Sequence, residues 1–447
     1  MKYLAILKDS LREALDSTVL YVMFALATVI ILVVASCSFE PAPADTAMKQ
    51  FFFDAHRGPM FLAAINMRKP KKLTKEALDS AMDIMVRFRL EKVELLGGEP
   101  DAPESKYELT VAEPNAVAAM RANPALEKRD AVADLKSIFA DAEDLGYLHV
   151  VTVEPLAEGA NQFTPRYRVV IQGTSQMHRV WPTRTTLFFG AWTFPESATA
   201  PLAMQLFVFA KLVLGFGSWG TVLIGVIITS FFFPNMLRKG TIDLLLARPI
   251  HRSLLLVYKY IGGLTFIFLC TAYALLGVWL ALGIRTGVWP NGLLLLVVTT
   301  TFFFAILYSF STLIGVVTRS TVTSILLTLG AWVVVFAVGA AHTQFDTLRI
   351  VEESSDKGRN PIPDDQRWGD GYWARSLRAG NAILPRTEDL NMLNDMIVYT
   401  DFMTGNLTDM RKLSPTDRNW WEALLVSSLW IAFFLGLSCL WISFKDY

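Results

Sequence analysis

The sequence predicts a membrane protein. The expected fold is an all-α bundle of six transmembrane helices, with an α+β extracytoplasmic domain inserted between the first and second spans. Three observations predict it. Of 447 residues, 53% are hydrophobic and 18% charged, where soluble domains have about 45–50% and about 25%, and mean hydropathy is +0.38. The apolar residues gather into six runs, each long enough for the ~20 helical residues that cross a hydrocarbon core. Two long polar stretches, 40–200 and 342–420, interrupt the runs. The counts of 41 basic and 41 acidic residues cancel, which excludes nucleic-acid binding through bulk charge. Cys37, Cys270 and Cys439 all fall in apolar runs, which excludes a disulfide scaffold or a cysteine metal site in the soluble parts.

Residues 1–17 place Leu4, Leu7, Leu11 and Leu15 on one helical stripe with charges opposite. They read as a cytoplasmic amphipathic helix in the inner interface or as a plain extension of the first span. That span is 18–39 (Thr18–Phe39). Val34-Ala35-Ser36-Cys37 matches a lipoprotein cleavage box, but the long leading region carries Asp9, Glu13 and Asp16, which is wrong for a signal peptide. Residues 40–200 alternate helix-like segments (Thr74–Arg87, Ala125–Leu145) with strand-like ones (Leu148–Val153, Arg166–Ile171, Val180–Phe189). The helix-then-strand order at Asp130–Val153 fits half of a ferredoxin-like unit. Pro-rich joints tether both ends, at Glu40–Pro43 and between Pro195 and Pro201.

Spans two to five occupy 201–341: Leu212–Phe233, Tyr260–Ile284, Asn291–Val317 and Val322–Ala341. The last two form a tight hairpin turning at Thr318-Arg319-Ser320-Thr321, since Arg319 is the only charge between Asn291 and His342. Lys211, at the mouth of the second span, reads as a snorkelling anchor or as a substrate-facing charge. The outer stretch 342–420 contains an acidic-aromatic piece at 364–370 and a short amphipathic helix over Ile383–Ile397 near the outer leaflet. The sixth span, Ala423–Phe444, and a short cytoplasmic tail make up 421–447.

Orientation follows from positive charge in short loops. Lys2, Lys8 and Arg12 precede the first span, and the 234–259 loop holds Arg238, Lys239, Arg248, Arg252 and Lys259. The Arg285–Pro290 loop of the opposite face has only Arg285. Both termini and the 234–259 loop are therefore expected in the cytoplasm of a multi-pass protein of the inner (cytoplasmic) membrane. The cytoplasmic segments total near 50 residues, with ten basic and five acidic side chains. That is too little chain for a nucleotide-hydrolysing, kinase or DNA-binding domain, so a cytosolic energy source must be another polypeptide.

Few motifs carry chemistry. Gly215-Phe-Gly-Ser-Trp-Gly220 spells G-x-G-x-x-G inside a span, where a dinucleotide site needs a strand-to-helix turn, so close helix packing is the expectation. No P-loop and no H-E-x-x-H occurs, and the five histidines, His56, His178, His251 and His342 among them, form no metal-ligand pattern. Asp364, Asp365 and Asp370 read as solvated surface. The informative segment is the 234–259 loop. Pro234 stops the second span, Gly240 permits a turn, Thr241 is a good N-cap and Asp243 suits the first turn. Leu244, Leu245 and Leu246 give a short helix an apolar surface, Pro249 breaks it, and Ser253 is placed to cap the third span. Such a stub is too short to fold alone. It either packs on the helix ends of its own chain or docks in a partner's groove.

The run Gly240-Thr-Ile-Asp-Leu-Leu-Leu-Ala-Arg-Pro-Ile-His-Arg252, followed by Lys259, resembles the pattern of type-2 ABC transporter permeases. Gly240, Thr241, Asp243, Leu245, Leu246, Pro249, Arg252 and Lys259 match it, as do the six spans, the cytoplasmic termini and the entry helix. Members often carry an acidic residue just before the glycine, whereas 235–239 has none, so docking contacts differ in detail. The resemblance covers the membrane part and not 40–200. It implies a permease subunit that does no chemistry and moves an unidentified substrate across the membrane. Arg238, Lys239, Gly240, Thr241, Asp243, Leu245, Leu246, Arg248, Pro249 and Arg252 would couple it to a separate ABC ATPase, which holds the ATP and Mg. The chain itself would need no cofactor. The implied partners are that ATPase, a second permease subunit and membrane lipid, with residues 40–200 available to an extracytoplasmic partner and no nucleic acid involved. The alternative is a mechanotransmission protein of the ABC type, which acts on an extracytoplasmic partner without a transmembrane substrate path.

Overall fold

The computed structural model describes residues 18–52, 87–114, 130–161, 164–193, 200–230, 234, 251–356, 371–405 and 420–444. Ten helices are described: α1 (Thr18–Ala35), α2 (Ala131–Asp144), α3 (Met177–Val180), α4 (Leu202–Thr229), α5 (Arg252–Thr286), α6 (Gly292–Thr318), α7 (Thr321–Asp356), α8 (Tyr372–Ile383), α9 (Thr387–Thr404) and α10 (Trp420–Phe444). Four helical stretches are long and apolar enough to cross a membrane: Arg252–Thr286, Gly292–Thr318, Thr321–Phe345 and Trp420–Phe444. The apolar segments Leu20–Ala35 and Leu202–Leu212 are shorter.

Eight strands are described: β1 (Ser38–Pro41), β2 (Arg89–Gly97), β3 (Lys106–Ala112), β4 (Leu148–Asn161), β5 (Thr164–Gly173), β6 (Pro182–Leu187), β7 (Trp192–Thr193) and β8 (Ala200–Pro201). One antiparallel sheet runs β2-β3-β5-β4. Tyr107, Leu109 and Val111 alternate inward along β3, as the two-residue pleat requires. Helix α2 covers the sheet. The Asp130 side chain caps it by accepting from Val132 N–H at 3.0 Å, and Leu135, Ile138, Phe139 and Ala142 form its buried face. The Trp181 indole N–H donates to the Ala42 carbonyl at 2.9 Å. In the same domain Arg87 is buried between Glu113 (2.7 Å) and Asp134 (2.6 Å). Desolvation opposes its charge, but hydrogen bonds to the two carboxylates more than offset this and raise its pKa.

In the second sheet β6 is central. β1 lies on one side, while β7 and β8 share the other. β1 follows α1 and β8 precedes α4, so entry into and exit from the inserted region are zipped to one strand, with Thr183 registered against both Pro41 and Ala200.

The helix-then-strand order at Asp130–Val153 is present as half of a ferredoxin-like unit requires: β5 lies between β3 and β4 and antiparallel to both, so β3-α2-β4 is a split βαβ unit, with β2 added at the β3 edge. Other expectations are corrected. β4 continues to Asn161 because β5 supplies a ladder that far. Val180 ends α3, and Val180–Phe189 is strand only over Pro182–Leu187. Helix α4 starts at Leu202, ten residues before the expected span, and α7 continues past Ala341 to Asp356. Hydropathy marks where a helix turns polar, not where it stops. The first glycine and proline after Ala341 are Gly358 and Pro361, so nothing breaks α7 earlier. Ile383–Ile397 is not one helix: Pro385 separates α8 from α9. Of the expected Thr74–Arg87 helix, 74–86 lie outside the described residues, as do 1–17, 115–129 and the 364–370 piece.

Bundle packing depends on small residues, because lipid gives no hydrophobic drive between helices and backbones must approach closely. A Cβ on Gly225 would fall 2.5 Å from Ile267, and one on Gly263 would fall 2.6 Å from the Tyr308 ring. Tyr308 stacks on Tyr260 with centroids 5.0 Å apart, and the Tyr260 hydroxyl donates to the Ala305 carbonyl at 2.7 Å, locking α5 to α6.

Candidate functional site

Arg238, Lys239, Gly240, Thr241, Asp243, Leu245, Leu246, Arg248 and Pro249 lie outside the described residues. The structure does define the helix ends that this segment joins. α4 closes with Thr229 and Ser230, whose hydroxyls donate back to the carbonyls of Gly225 (2.8 Å) and Val226 (2.5 Å). Arg252 opens α5. His251 is extended (φ −61°, ψ 129°), and its carbonyl accepts the first N–H groups, from Leu254 at 3.0 Å and Leu255 at 3.1 Å. Ser253 was expected to cap this helix, but it lies within the first turn and its hydroxyl meets that of Ser443 at 2.9 Å. The reason is positional: once His251 has become the N-cap, Ser253 is too late to serve.

The end of the bundle that carries 231–251 also carries the α6–α7 turn. The Ser230 hydroxyl contacts Ser311 at 2.9 Å, and Ser311 contacts Ser324 at 3.1 Å, one turn into α7. As expected, the hairpin turns at 318–321. Arg319 takes the left-handed conformation (φ +55°), and its N–H donates to the Gly315 carbonyl at 3.0 Å. The last turn of α10, through Ser443, completes this face.

The opposite end receives the sheet domain, and several of its key side chains carried no sequence signal. Arg179 of α3 donates to the carbonyls of Asp401 and Phe402, both at 2.8 Å, and Tyr147 donates to that of Met403 at 3.2 Å. These are last-turn carbonyls of α9, where a cation is favoured by the helix dipole; the Asp401 carbonyl also accepts from Gly405 N–H at 2.9 Å. The Asp401 carboxylate in turn accepts from Gly292 N–H, at the start of α6, at 2.7 Å. Burial lowers the Arg179 pKa and raises that of Asp401, and the attraction of each for the other only partly opposes these shifts. His178, which fits no metal-ligand pattern in the sequence, sits with Nε2 3.0 Å from the Thr286 carbonyl, at the end of α5. Arg285 donates to the Cys37 carbonyl at 3.0 Å and to the Ser38 hydroxyl.

Lys211 pairs with Asp395 of α9 at 2.7 Å and lies over the Phe207 ring, with its side chain half-exposed. Gly215, Gly217 and Gly220 lie within helix α4, so their spacing does not make a strand-to-helix phosphate turn.

The helices are joined at one end by a basic, leucine-bearing segment and clasped at the other by a folded domain. No curated protein matches the chain significantly. The family model described as ABC-2 family transporter protein matches residues 4–446. With apolar helices, a basic inter-helix segment and a match that spans nearly its whole length, the chain belongs to the ABC-2 transporter family, as a multi-pass membrane permease component rather than a catalytic enzyme.

Proposed function

We propose that this chain is the transmembrane permease subunit of an ABC transporter of the inner membrane, driven by ATP hydrolysis on a separate subunit. In this reading α1, α4, α5, α6, α7 and α10 are six spans. Both termini and the 234–259 loop face the cytoplasm, and the sheet domain faces outward. The carrying observation is that the Gly240–Arg252 run joins α4 to α5 at the end of the bundle remote from the sheet domain.

The ATPase holds ATP and Mg. Thr241, Asp243, Leu245, Leu246, Arg248 and Pro249 form a stub that docks on it, flanked by Arg238, Lys239, Gly240 and Arg252. Closure of two ATPases moves the stub and tilts the spans of two paired permeases. Work comes from the difference in affinity between two packings, not from bond chemistry in this chain.

The test is co-purification with the ATPase. Deleting 240–250, or combining Asp243→Lys with Arg252→Glu, should abolish association while membrane insertion persists. Retention of the ATPase by the deletion variant would overturn the coupling assignment. A second reading, mechanotransmission without a substrate path, draws support from the clasp of Arg179 and His178 on the ends of α9 and α5. ATP-driven movement of a solute into or out of vesicles holding the purified complex would decide against it.

A further inference from the structure

The hairpin joining β6 to β7 turns through Phe188-Phe189-Gly190-Ala191, closed by Ala191 N–H donating to the Phe188 carbonyl at 3.2 Å. Phe188, Phe189 and Gly190 have φ of +53°, +57° and +93°. Left-handed backbone costs an L-residue about 1–2 kcal/mol, and hairpin turns that need it normally use Asn-Gly or Asp-Gly. Here the strain holds large aromatic rings away from the domain's own core: Phe188 is 53% exposed, Phe189 75% and Trp192 59%. Such an outlier persists only where its surroundings hold it, and it marks a position that does something.

The turn is fixed at a definite height. Phe189 N–H donates to the carbonyl of Ser36, just beyond the last turn of α1, at 2.9 Å. Arg285, in the last turn of α5, lies 5.8 Å from the centre of the Phe189 ring. Immediately below on the same two helices, Leu32 of α1 is 62% exposed and Ile284 of α5 73%. The outward apolar surface of two membrane helices therefore continues onto the aromatic turn, and it ends there beside a guanidinium. Apolar rings with a neighbouring cation at the level where spans end suit the headgroup zone, where Trp and aromatic belts collect and Arg meets lipid phosphate.

We propose that the 188–192 hairpin inserts into the headgroup–acyl boundary of the outer leaflet, with phospholipid covering Phe188, Phe189 and Trp192. The inference rests on the reading of α1 and α5 as spans. It fixes the rim of the sheet domain to the bilayer independently of the Arg179 clasp.

The test places single nitroxide labels on a chain with Cys37, Cys270 and Cys439 replaced by serine, reconstituted in vesicles of phosphatidylcholine and phosphatidylglycerol. Labels at Phe189→Cys, Leu32→Cys and Val151→Cys are compared for collision with oxygen and with a water-soluble nickel complex. Val151 is exposed on β4, which pairs with β5 and packs on α2. The oxygen-to-nickel ratio at 189 should resemble that at 32 and exceed that at 151 several-fold. A value at 189 like that at 151, with 32 still in lipid, overturns the insertion. Water exposure at 32 overturns the span reading instead. If the cysteine replacements prevent folding, p-benzoylphenylalanine at 189 in the otherwise native chain should photocrosslink to phospholipid. Crosslinking to a second copy of the chain would overturn the proposal.

Discussion

The two ends of the bundle are held by different chemistry. At the end that meets the sheet domain, an arginine, a histidine and a buried carboxylate satisfy the termini of three helices: Arg179 on α9, His178 on α5 and Asp401 on α6. At the end that carries the 231–251 segment, neighbouring helices meet through serine hydroxyls, Ser230 with Ser311, Ser311 with Ser324 and Ser253 with Ser443. Hydrogen bonds to charged groups contribute about 1.5–3 kcal/mol and neutral ones about 1. A hydroxyl can also rotate to a new partner, while a guanidinium seated on two carbonyls must break two charged hydrogen bonds to leave. The difference teaches where displacement is cheap. Among the polar contacts, those at the 231–251 end are the cheaper to exchange.

The largest effect expected is inside the sheet domain. Arg87→Ala strands Glu113 and Asp134 in a site where Arg87 and Glu113 are about 2–3% exposed, and loss of one partner from such a buried cluster costs about 3–5 kcal/mol. Limited proteolysis should then cut the sheet domain while α5 to α7 stay protected. Protection of both parts would show that the cluster contributes little. Next comes Arg179→Ala, which takes a charged donor from the Phe402 carbonyl and leaves the Asp401 carbonyl with Gly405 N–H; it should cost about 1.5–3 kcal/mol, read as a lower melting temperature of the detergent-solubilised chain.

Asp401 sharpens the contrast through pH. Asp401→Ala orphans Gly292 N–H and should cost about 1–3 kcal/mol, whereas Asp401→Asn keeps an acceptor and should cost less. The sign follows from the direction of its shift. Burial raises the native carboxyl above its ordinary value, so the folded state holds the proton more tightly than the unfolded chain does. The contribution is therefore greatest below the unfolded pKa of about 3.9 and is lost as pH rises through the raised native value. Melting curves on the two chains should show the native protein losing stability relative to Asp401→Asn across that rise. The smallest effects belong to the other end: Ser311→Ala and Ser324→Ala should each cost about 1 kcal/mol or less. A serine change as damaging as Arg179→Ala would remove the contrast between the ends.

Much of the bundle was legible because a span is a composition signal. Uninterrupted apolar runs located α5, α6 and α10, and lone Arg319 located the α6–α7 turn. β2 was not legible: Arg89-Leu-Glu-Lys-Val-Glu-Leu-Leu-Gly97 has charges on both faces, and its pairing is set by β3 rather than by its own alternation. α9 misled for a related reason. It buries Asn394, Thr400 and Asp401, and a polar residue reads as surface until its distant partner, here the Gly292 amide, is known. Arg179 and His178 carried no sequence signal for the same reason, since the helix ends they satisfy are more than a hundred residues away. The docking stub was legible as a pattern of turn, cap, leucines and proline, and its role rests on that pattern.

The shared strand β6 has an architectural consequence. Because the chain enters beside Thr183 and leaves beside Thr183, the spacing between the ends of α1 and α4 that meet this sheet is set by two adjacent ladders and not by whatever is folded between them. The material from 44 to 176 is thus a cassette hung on a closed clip. It can be enlarged, trimmed or exchanged over evolutionary time, while the helices beneath keep their footing.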